Sequence, residues 1–230
     1  MRLDKFVCKS TDLSKQQAQA SIAAGLVKIN NEVVFDIKAQ VHQNNKVTLN
    51  QAPLVLRPFR YIVLHKPANT LCSNYDEHYP SVFNFLNVDH ADELHIVGRL
   101  DVDTTGMILI TDDGHWSFNI TRPEKHCVKE YKVALSQVLN KAATKAFEQG
   151  IQLQGEKALT LPASLSFIDD KNVVLGITQG KFHQVKRMFA ALGNRVIRLH
   201  RQRIGSLELD IPEGQWRYLT EAEVASFTAS

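Results

Sequence analysis

Residues 98–114 of the chain read Gly-Arg-Leu-Asp-Val-Asp-Thr-Thr-Gly-Met-Ile-Leu-Ile-Thr-Asp-Asp-Gly. Gly98 and Gly106 enclose a polar loop that holds Asp101 and Asp103, and an apolar run follows it directly. A short apolar run bounded by turn-forming residues is typical of a buried strand. Such a strand can hold a carboxylate of the loop in a fixed position for chemistry. Alternatively, both aspartates cap the turn by accepting hydrogen bonds from backbone N–H groups. The spacing alone leaves both interpretations open.

The charge of the chain changes sign along its length. Residues 76–113 hold nine acidic side chains and one basic one, Arg99. From Lys171 to Leu207 there are eight basic residues and no acidic one. These eight are Lys171, Lys181, Lys186, Arg187, Arg195, Arg198, Arg201 and Arg203. A run of this length favours a face that binds a polyanion over a face that is merely solvated.

The first 56 residues carry the whole net charge of +3, with seven basic and four acidic side chains. They predict two helices, the second from an N-cap at Ser14 to Ala24, and then strands at 27–29, 33–35 and 47–49. Gly25 fits the left-handed position that ends a helix, and Asn30-Asn31 fits a turn between strands. Residues 51–58 contain two prolines and are expected to form a linker.

Beyond the linker, the sequence predicts a larger α+β domain. Strand-like runs are expected at 61–64, 106–110, 131–135, 173–177 and 195–199, on a mostly antiparallel mixed sheet. Helices are expected near 81–86, 140–149, 183–192 and 220–227, flanking that sheet. The predicted division is therefore a small unit with its linker, residues 1–56, and a larger domain, residues 57–230.

Composition excludes several classes of protein. With 44% hydrophobic residues and 11 Gly among 230 residues, the chain is neither disordered nor fibrous. The sequence contains neither a membrane-spanning apolar run nor a secretory leader. Its three cysteines are far apart, which is typical of reduced thiols in a cytoplasmic protein, and its scattered histidines do not suggest a metal site.

Three motifs resemble the pseudouridine synthases, in the branch that acts on ribosomal RNA. The loop at 98–106 resembles the Gly-Arg-Leu-Asp signature of that branch, Lys129-Glu130-Tyr131 its tyrosine motif, and residues 180–189 its carboxyl-terminal basic motif. Residues 1–50 resemble an S4 RNA-binding domain of the α-L type. The resemblance covers nearly the whole chain and implies an S4 domain followed by a pseudouridine synthase domain. Asn30-Asn31-Glu32 departs from the common Asn-Gly-Glu, and Glu130 replaces a small polar residue.

The form of the basic motif is most similar to that found in enzymes that convert one uridine of 16S ribosomal RNA to pseudouridine. The resemblance therefore implies an rRNA isomerase that needs no cofactor, with 16S rRNA or a small-subunit assembly particle as its partner. We expect no membrane partner, and we expect the protein to be a monomer. Three alternatives stay open: the same reaction on 23S rRNA, a non-catalytic assembly factor, and an S4-domain methyltransferase. The sequence lacks the Gly-x-Gly-x-x-Gly loop that the last would need.

The resemblance also implies roles for three residues. Asp101 is the catalytic carboxylate, Lys186 pairs with it, and Tyr131 stacks on the target base and helps to move a proton. Arg187 is the second candidate to pair with Asp101. Asp103 is interpreted as a turn residue. A single carboxylate is compatible with two mechanisms, one through a covalent ribosyl ester and one through a glycal.

A further set of basic residues is expected to bind RNA. In the catalytic domain, Arg99 is a candidate for the space that the target base vacates. The other candidates are Lys181, His183, Arg187, Arg198 and Arg201, together with Arg2, Lys5, Lys15 and Lys28 of the S4 domain.

Overall fold

The structure is a computed structural model that describes residues 1–228. The chain divides into a first unit, Met1–Pro58, and a second unit that begins at Phe59. The boundary predicted from the sequence lies two residues earlier. The last two residues of the predicted catalytic domain lie outside the described range.

The first unit begins with two helices, α1 (Leu3–Ser10) and α2 (Lys15–Ala23). Ser14 caps α2 as predicted: its side chain accepts a hydrogen bond from Gln17 N, and the Gln17 side chain accepts one from Ser14 N. Two backbone donors that the helix would leave unpaired are thereby satisfied. Gly25, at a φ of +72°, adopts the predicted left-handed conformation after the helix.

A four-stranded sheet completes the first unit. Its strands are β1 (Val27–Ile29), β2 (Glu32–Val33), β3 (Val47–Leu49) and β4 (Ala52–Pro53), in the order β2-β1-β3-β4 with antiparallel neighbours. Asn30 and Asn31 have the positive φ values that the turn prediction requires. The prediction of a linker from residue 51 was wrong at its start, because β4 belongs to the sheet. Asn50 and Gln51, also at positive φ, form the turn before it.

The second unit contains nine strands and four helices among its described residues. The strands are β5 (Tyr61–Lys66), β6 (His95–Val97), β7 (Thr105–Thr111), β8 (Lys129–Leu135), β9 (Ser164–Phe167), β10 (Asn172–Ile177), β11 (Val196–Ile204), β12 (Leu207–Glu208) and β13 (Trp216–Tyr218). The helices are α3 (Gly114–Thr121), α4 (Ala143–Gln149), α5 (Gln184–Ala191) and α6 (Glu221–Ser226). Within residues 1–228, no helix is long and apolar enough to cross a membrane.

The strands of the second unit form one mixed sheet in the order β13-β5-β7-β11-β8-β10-β9, with β12 beside β11 and β6 beside β7. Only the β7–β11 pair is parallel among the described pairs of this sheet. The prediction of a mostly antiparallel sheet in an α+β domain is therefore confirmed.

Both faces of this sheet are buried, which explains why β7 is apolar at successive positions. Ile108 and Ile110 pack into one core, which also contains Phe147 of α4 and Phe189 of α5. Met107 and Leu109 point the other way, into a core with Trp116 of α3 and Phe227 after α6. Strands covered on both faces lose the polar alternation of a half-exposed strand. The loop before β7 is thus attached to a rigid central strand.

The helices of the second unit differ from the prediction at two places. The one expected at 81–86 is a single 3-10 turn, Val82–Phe85, and α3 was not predicted at all. Asp113 begins α3, because its carboxylate accepts hydrogen bonds from the N–H groups of His115 and Trp116. The same Asp-Asp-Gly sequence is typical of a turn, which hides the start of this helix.

Candidate active site

The loop at residues 98–104 connects β6 to β7. Gly106 follows it at the point where β7 runs beside β11. A Cβ atom at Gly106 would lie 2.3 Å from the backbone oxygen of Arg201, and its φ of +111° is one that other residues rarely adopt. A side chain at this position would push the two parallel strands apart. The close approach of these strands therefore explains the second glycine of the motif.

Asp101 lies in this loop and contacts two side chains from the start of α5. The Nζ atom of Lys186 is 3.0 Å from Asp101 Oδ2, and the Nε2 atom of His183 is 3.4 Å from Asp101 Oδ1. The Asp101 side chain is 26% exposed, so the carboxylate is held but still accessible. The pairing of Lys186 with Asp101 was predicted, and the contact with His183 was not.

Asp103 shares the same lysine. Its Oδ1 atom lies 2.6 Å from Lys186 Nζ, so the ammonium group bridges both carboxylates of the loop. Partial burial acts to raise the pKa of the Asp103 carboxyl, but the hydrogen bond from Lys186, the charge of its ammonium group and smaller contributions together outweigh burial and lower the pKa. Burial likewise acts to lower the pKa of Lys186, and the two carboxylates reverse the shift and raise it. Asp103 is therefore an ion-pair partner and more than a turn residue.

A small cleft of about 80 Å³ lies at Asp101. Its lining combines the polar groups of the loop and of α5 with Tyr131, Ile177 and Leu199, which belong to the core. Tyr131 is only 7% exposed, and its hydroxyl accepts a hydrogen bond of 3.5 Å from Arg201 Nη1. The cleft therefore has a polar rim and an apolar base that ends in a tyrosine.

Lys66, at the end of β5, is a residue that the sequence analysis missed. It is fully buried, and its Nζ atom donates to the carbonyl oxygens of Pro67, Val102 and Thr104 at 3.0, 3.1 and 2.9 Å. Two of these carbonyls belong to the loop and flank Asp103. Burial lowers the pKa of Lys66, and nearby acidic groups offset part of the shift. A lysine before a proline gives little sign of burial, so only the tertiary structure, which places the end of β5 against the loop, reveals its role.

The segment after Lys66 makes two more contacts with the loop. Asn69 N donates to Val102 O at 2.9 Å, and Leu100 N donates to the Sγ atom of Cys72 at 3.3 Å. Burial raises the pKa of the Cys72 thiol, against the hydrogen bond from Leu100 and the nearby cations. The backbone on both sides of Asp101 is therefore fixed from the same segment.

The structure corrects the prediction for Arg201. Its side chain is 3% exposed and donates to Met107 O at 2.7 Å and Gly98 O at 2.9 Å, besides its bond to Tyr131. A guanidinium group that is buried among these acceptors is not available to a phosphate, so Arg201 is not a surface RNA contact. It joins the start of the loop to β7 and to Tyr131.

Arg187 and Lys181 both bind Glu156, which lies outside the basic run of the sequence. Lys181 Nζ is 2.9 Å from one oxygen of Glu156, and Arg187 Nη1 is 3.2 Å from the other. Arg187 Nη2 also donates to Gln154 O at 2.7 Å. The structure therefore contradicts Arg187 as the alternative partner of Asp101, because its guanidinium group is turned toward Glu156.

The remaining predicted RNA contacts differ in exposure. Arg99 and Arg198 are exposed in the second unit, and Arg99 also lines the cleft. In the first unit, Lys5 and Lys15 are exposed and Lys28 is partly buried. Arg2 donates to both carboxylate oxygens of Asp4, at 3.1 and 2.6 Å, and Asp4 is buried. Arg2 therefore has a structural partner in addition to any RNA contact.

Comparison with known protein families matches both units. Residues 60–191 match the RNA pseudouridylate synthase family, and residues 1–47 match the S4 domain. The first match contains Asp101, Tyr131 and Lys186. The second covers both helices and the first two strands of the first unit, and it ends at the first residue of β3.

Individual relatives cover the whole chain. A ribosomal small subunit pseudouridine synthase A of Haemophilus influenzae is 45% identical over 97% of this chain and 98% of its own. The protein of the same name from Vibrio cholerae is 43% identical over 98% and 99%. A crystal structure of a pseudouridylate synthase, 43% identical, superposes with a TM-score of 0.73 and covers 99% of both chains. The chain belongs to the RNA pseudouridylate synthase family and carries an S4 domain in its first unit.

Proposed function

We propose that this protein converts a uridine of small-subunit ribosomal RNA, 16S rRNA, to pseudouridine, with Asp101 as the catalytic carboxylate. The observation that carries the proposal is the ion pair of Asp101 with Lys186, 3.0 Å apart, at a cleft that also contains Tyr131. A partly accessible carboxylate beside a fixed cation is the group that this reaction requires. The match to the family spans all three residues.

The reaction moves the uracil base without adding or removing any atom overall. The bond between N1 of uracil and C1′ of ribose breaks, the detached base turns, and C5 forms a new bond to C1′. The hydrogen on C5 leaves as a proton, and N1 gains a proton. Asp101 would act at the ribose, either as a nucleophile at C1′ or as a base at C2′. Lys186 balances the charge of this carboxylate and holds it in place.

Tyr131 would contact the target base from the apolar base of the cleft. Its ring belongs to the core, and its hydroxyl is held by Arg201, so the tyrosine has a fixed position. A hydroxyl group near C5 can help to remove the proton from that carbon. Because the target must leave its stack to enter the cleft, Arg99 on the rim is proposed to fill the vacated space.

The substrate is inferred from the relatives and from the charges of the chain. The relatives described above carry the name of the small ribosomal subunit, which favours 16S over 23S rRNA as the substrate. Exposed basic side chains, including Lys5, Lys15 and Arg198, suit contacts to phosphates, which give affinity without reading sequence. The match to the S4 domain supports RNA contacts by the first unit. An assembly particle and naked rRNA both present such phosphates.

The cytoplasmic location and the monomeric state stay predictions. A ribosomal RNA substrate is consistent with a cytoplasmic location. Sedimentation of the purified protein across a range of concentrations tests the monomeric state, and a mass that rises with concentration would contradict a monomer.

The decisive experiment maps pseudouridines in rRNA from a strain that lacks the gene. We expect one modified position of 16S rRNA to be lost, restored by the wild-type protein and left unmodified by Asp101→Asn. Loss of a position in 23S rRNA instead would contradict the substrate. Restoration by the variant would contradict the role of Asp101.

A further inference from the structure

Two aromatic rings form an exposed step beside the cleft. The rings of Phe182 and His183 are stacked, with centroids 3.8 Å apart and planes 20° apart. Phe182 is 74% exposed although His183 covers one face of its ring, so the other face is open to solvent. His183 contacts Asp101, but the mechanism proposed above gives no task to either ring.

The step is exposed but held by its backbone. His183 has a φ of +48°, a left-handed conformation that side-chain-bearing residues adopt only when their surroundings impose it. Arg187 Nη1 donates to Phe182 O at 3.2 Å, and Lys181 N donates to the side chain of Gln184, which is buried. These contacts on both sides of the step keep the rings next to α5. A flexible surface phenylalanine would not require them.

The step is also directly connected to the reacting group. His183 Nε2 lies 3.4 Å from Asp101 Oδ1, and Lys186 lies on the other oxygen of the same carboxylate. The open face of Phe182 is thus separated from Asp101 by a single imidazole ring. Lys181 and Arg187 flank the step and share the single carboxylate of Glu156, so a net positive charge remains there and suits an anionic chain that carries flat, apolar faces. Single-stranded RNA has this combination, since its bases stack on aromatic side chains while cations bind its phosphates.

We propose that the Phe182–His183 step binds the nucleobase of an unpaired nucleotide that flanks the target uridine, by stacking on Phe182. This inference rests on the proposed function. The stacked neighbour would hold the RNA strand open beside the cleft and keep the flipped uridine at Asp101. Stacking does not read base identity, so the site fixes the position of the strand and selects unpaired RNA.

The test measures initial rates of tritium release from 16S rRNA that carries tritium at C5 of uridine, as a function of RNA concentration. Phe182→Leu keeps an apolar side chain but removes the ring, while Phe182→Tyr and Phe182→Trp keep a ring. We expect Phe182→Leu to raise the KM about tenfold, the size of the loss of one stacked base, with little change in kcat. Phe182→Tyr and Phe182→Trp should stay near the wild-type KM.

Phe118→Ala is the matched control, since this phenyl ring of α3 is 53% exposed and does not line the cleft. It should change neither KM nor kcat. A wild-type KM for Phe182→Leu, or an equal rise for all three Phe182 variants, would overturn the inference. Wild-type protein that releases no tritium would instead contradict the proposed function, so the two failures are distinguishable.

Discussion

The loop at residues 98–104 and the segment at residues 180–187 meet at the ion pair of Asp101 and Lys186, but they are held in opposite ways. Buried cations hold the loop by its backbone: Lys66 binds two of its carbonyls, and Arg201 binds the carbonyl of Gly98. Partly exposed ion pairs with Glu156 hold the segment by its side chains.

This difference separates the placement of the carboxylate from the placement of the cations. Hydrogen bonds buried in the sheet are shielded from salt, so we expect Asp101 to keep its position when RNA binds. The contacts to Glu156 are partly exposed and are weakened by salt, and phosphates can compete for the same cations. The loop therefore provides the fixed part of the site, and the segment provides the part that responds to the substrate.

The largest effect on folding is expected from Lys66→Met. Three buried carbonyls would lose their donor, and each such loss costs about 1–3 kcal/mol, partly offset because no ammonium group is buried. We expect the free energy of unfolding to fall by about 3 kcal/mol, measured by urea denaturation, together with a lower kcat. The control is Lys132→Met, at an exposed lysine of β8, which should change the free energy of unfolding by less than about 0.5 kcal/mol. Equal stability of the two variants would contradict the role of Lys66.

Arg198 and Arg201 lie three residues apart on β11 and should respond differently to the same change. Arg201→Ala removes buried hydrogen bonds and should lower the free energy of unfolding by about 2 kcal/mol. Arg198→Ala should leave stability unchanged and reduce the slope of log RNA affinity against log salt by about one. The measurements are urea denaturation and filter binding at several salt concentrations. If Arg201→Ala were stable and changed only the slope, Arg201 would be a surface contact after all.

The smallest effect is expected from Glu156→Gln, which frees Lys181 and Arg187 from a carboxylate. RNA binding should become about threefold tighter at low salt, and more sensitive to salt, because one negative charge is removed beside the substrate. Glu148→Gln removes the same charge from an exposed position on α4 and is the control. Weaker binding by Glu156→Gln would show that Glu156 mainly orients the two cations.

Local signals predicted the first unit and the loop well. Ser14, Gly25 and the Asn30-Asn31 turn act through their own backbone, so their effects can be identified within a few residues. Lys66 and the burial of Arg201 depend on strands that are distant in sequence. Arg201 does share the inward face of β11 with Leu199, two residues before it, and this alternation was the available signal. The basic composition of the run outweighed it in the prediction.

Glu156 shows a second limit of charge counting. The run from Lys171 to Leu207 contains no acidic residue, yet a carboxylate from outside the run lies between two of its cations. The sequence places Glu156 in an irregular segment with no helical or strand period, and its contact depends on the tertiary structure. The prediction of a polyanion-binding face therefore counted two cations that already have a partner.

We assign the chemistry to Asp101 and not to its neighbour Asp103, and single-turnover tritium release at saturating enzyme distinguishes the two carboxylates. Both aspartates bind Lys186, so Asp101→Asn and Asp103→Asn remove the same charge from the same ion-pair network. We predict no release above the enzyme-free background for Asp101→Asn, with RNA binding retained, and a decrease of less than about tenfold for Asp103→Asn. Turnover by Asp101→Asn, or equal loss in both variants, would contradict the assignment.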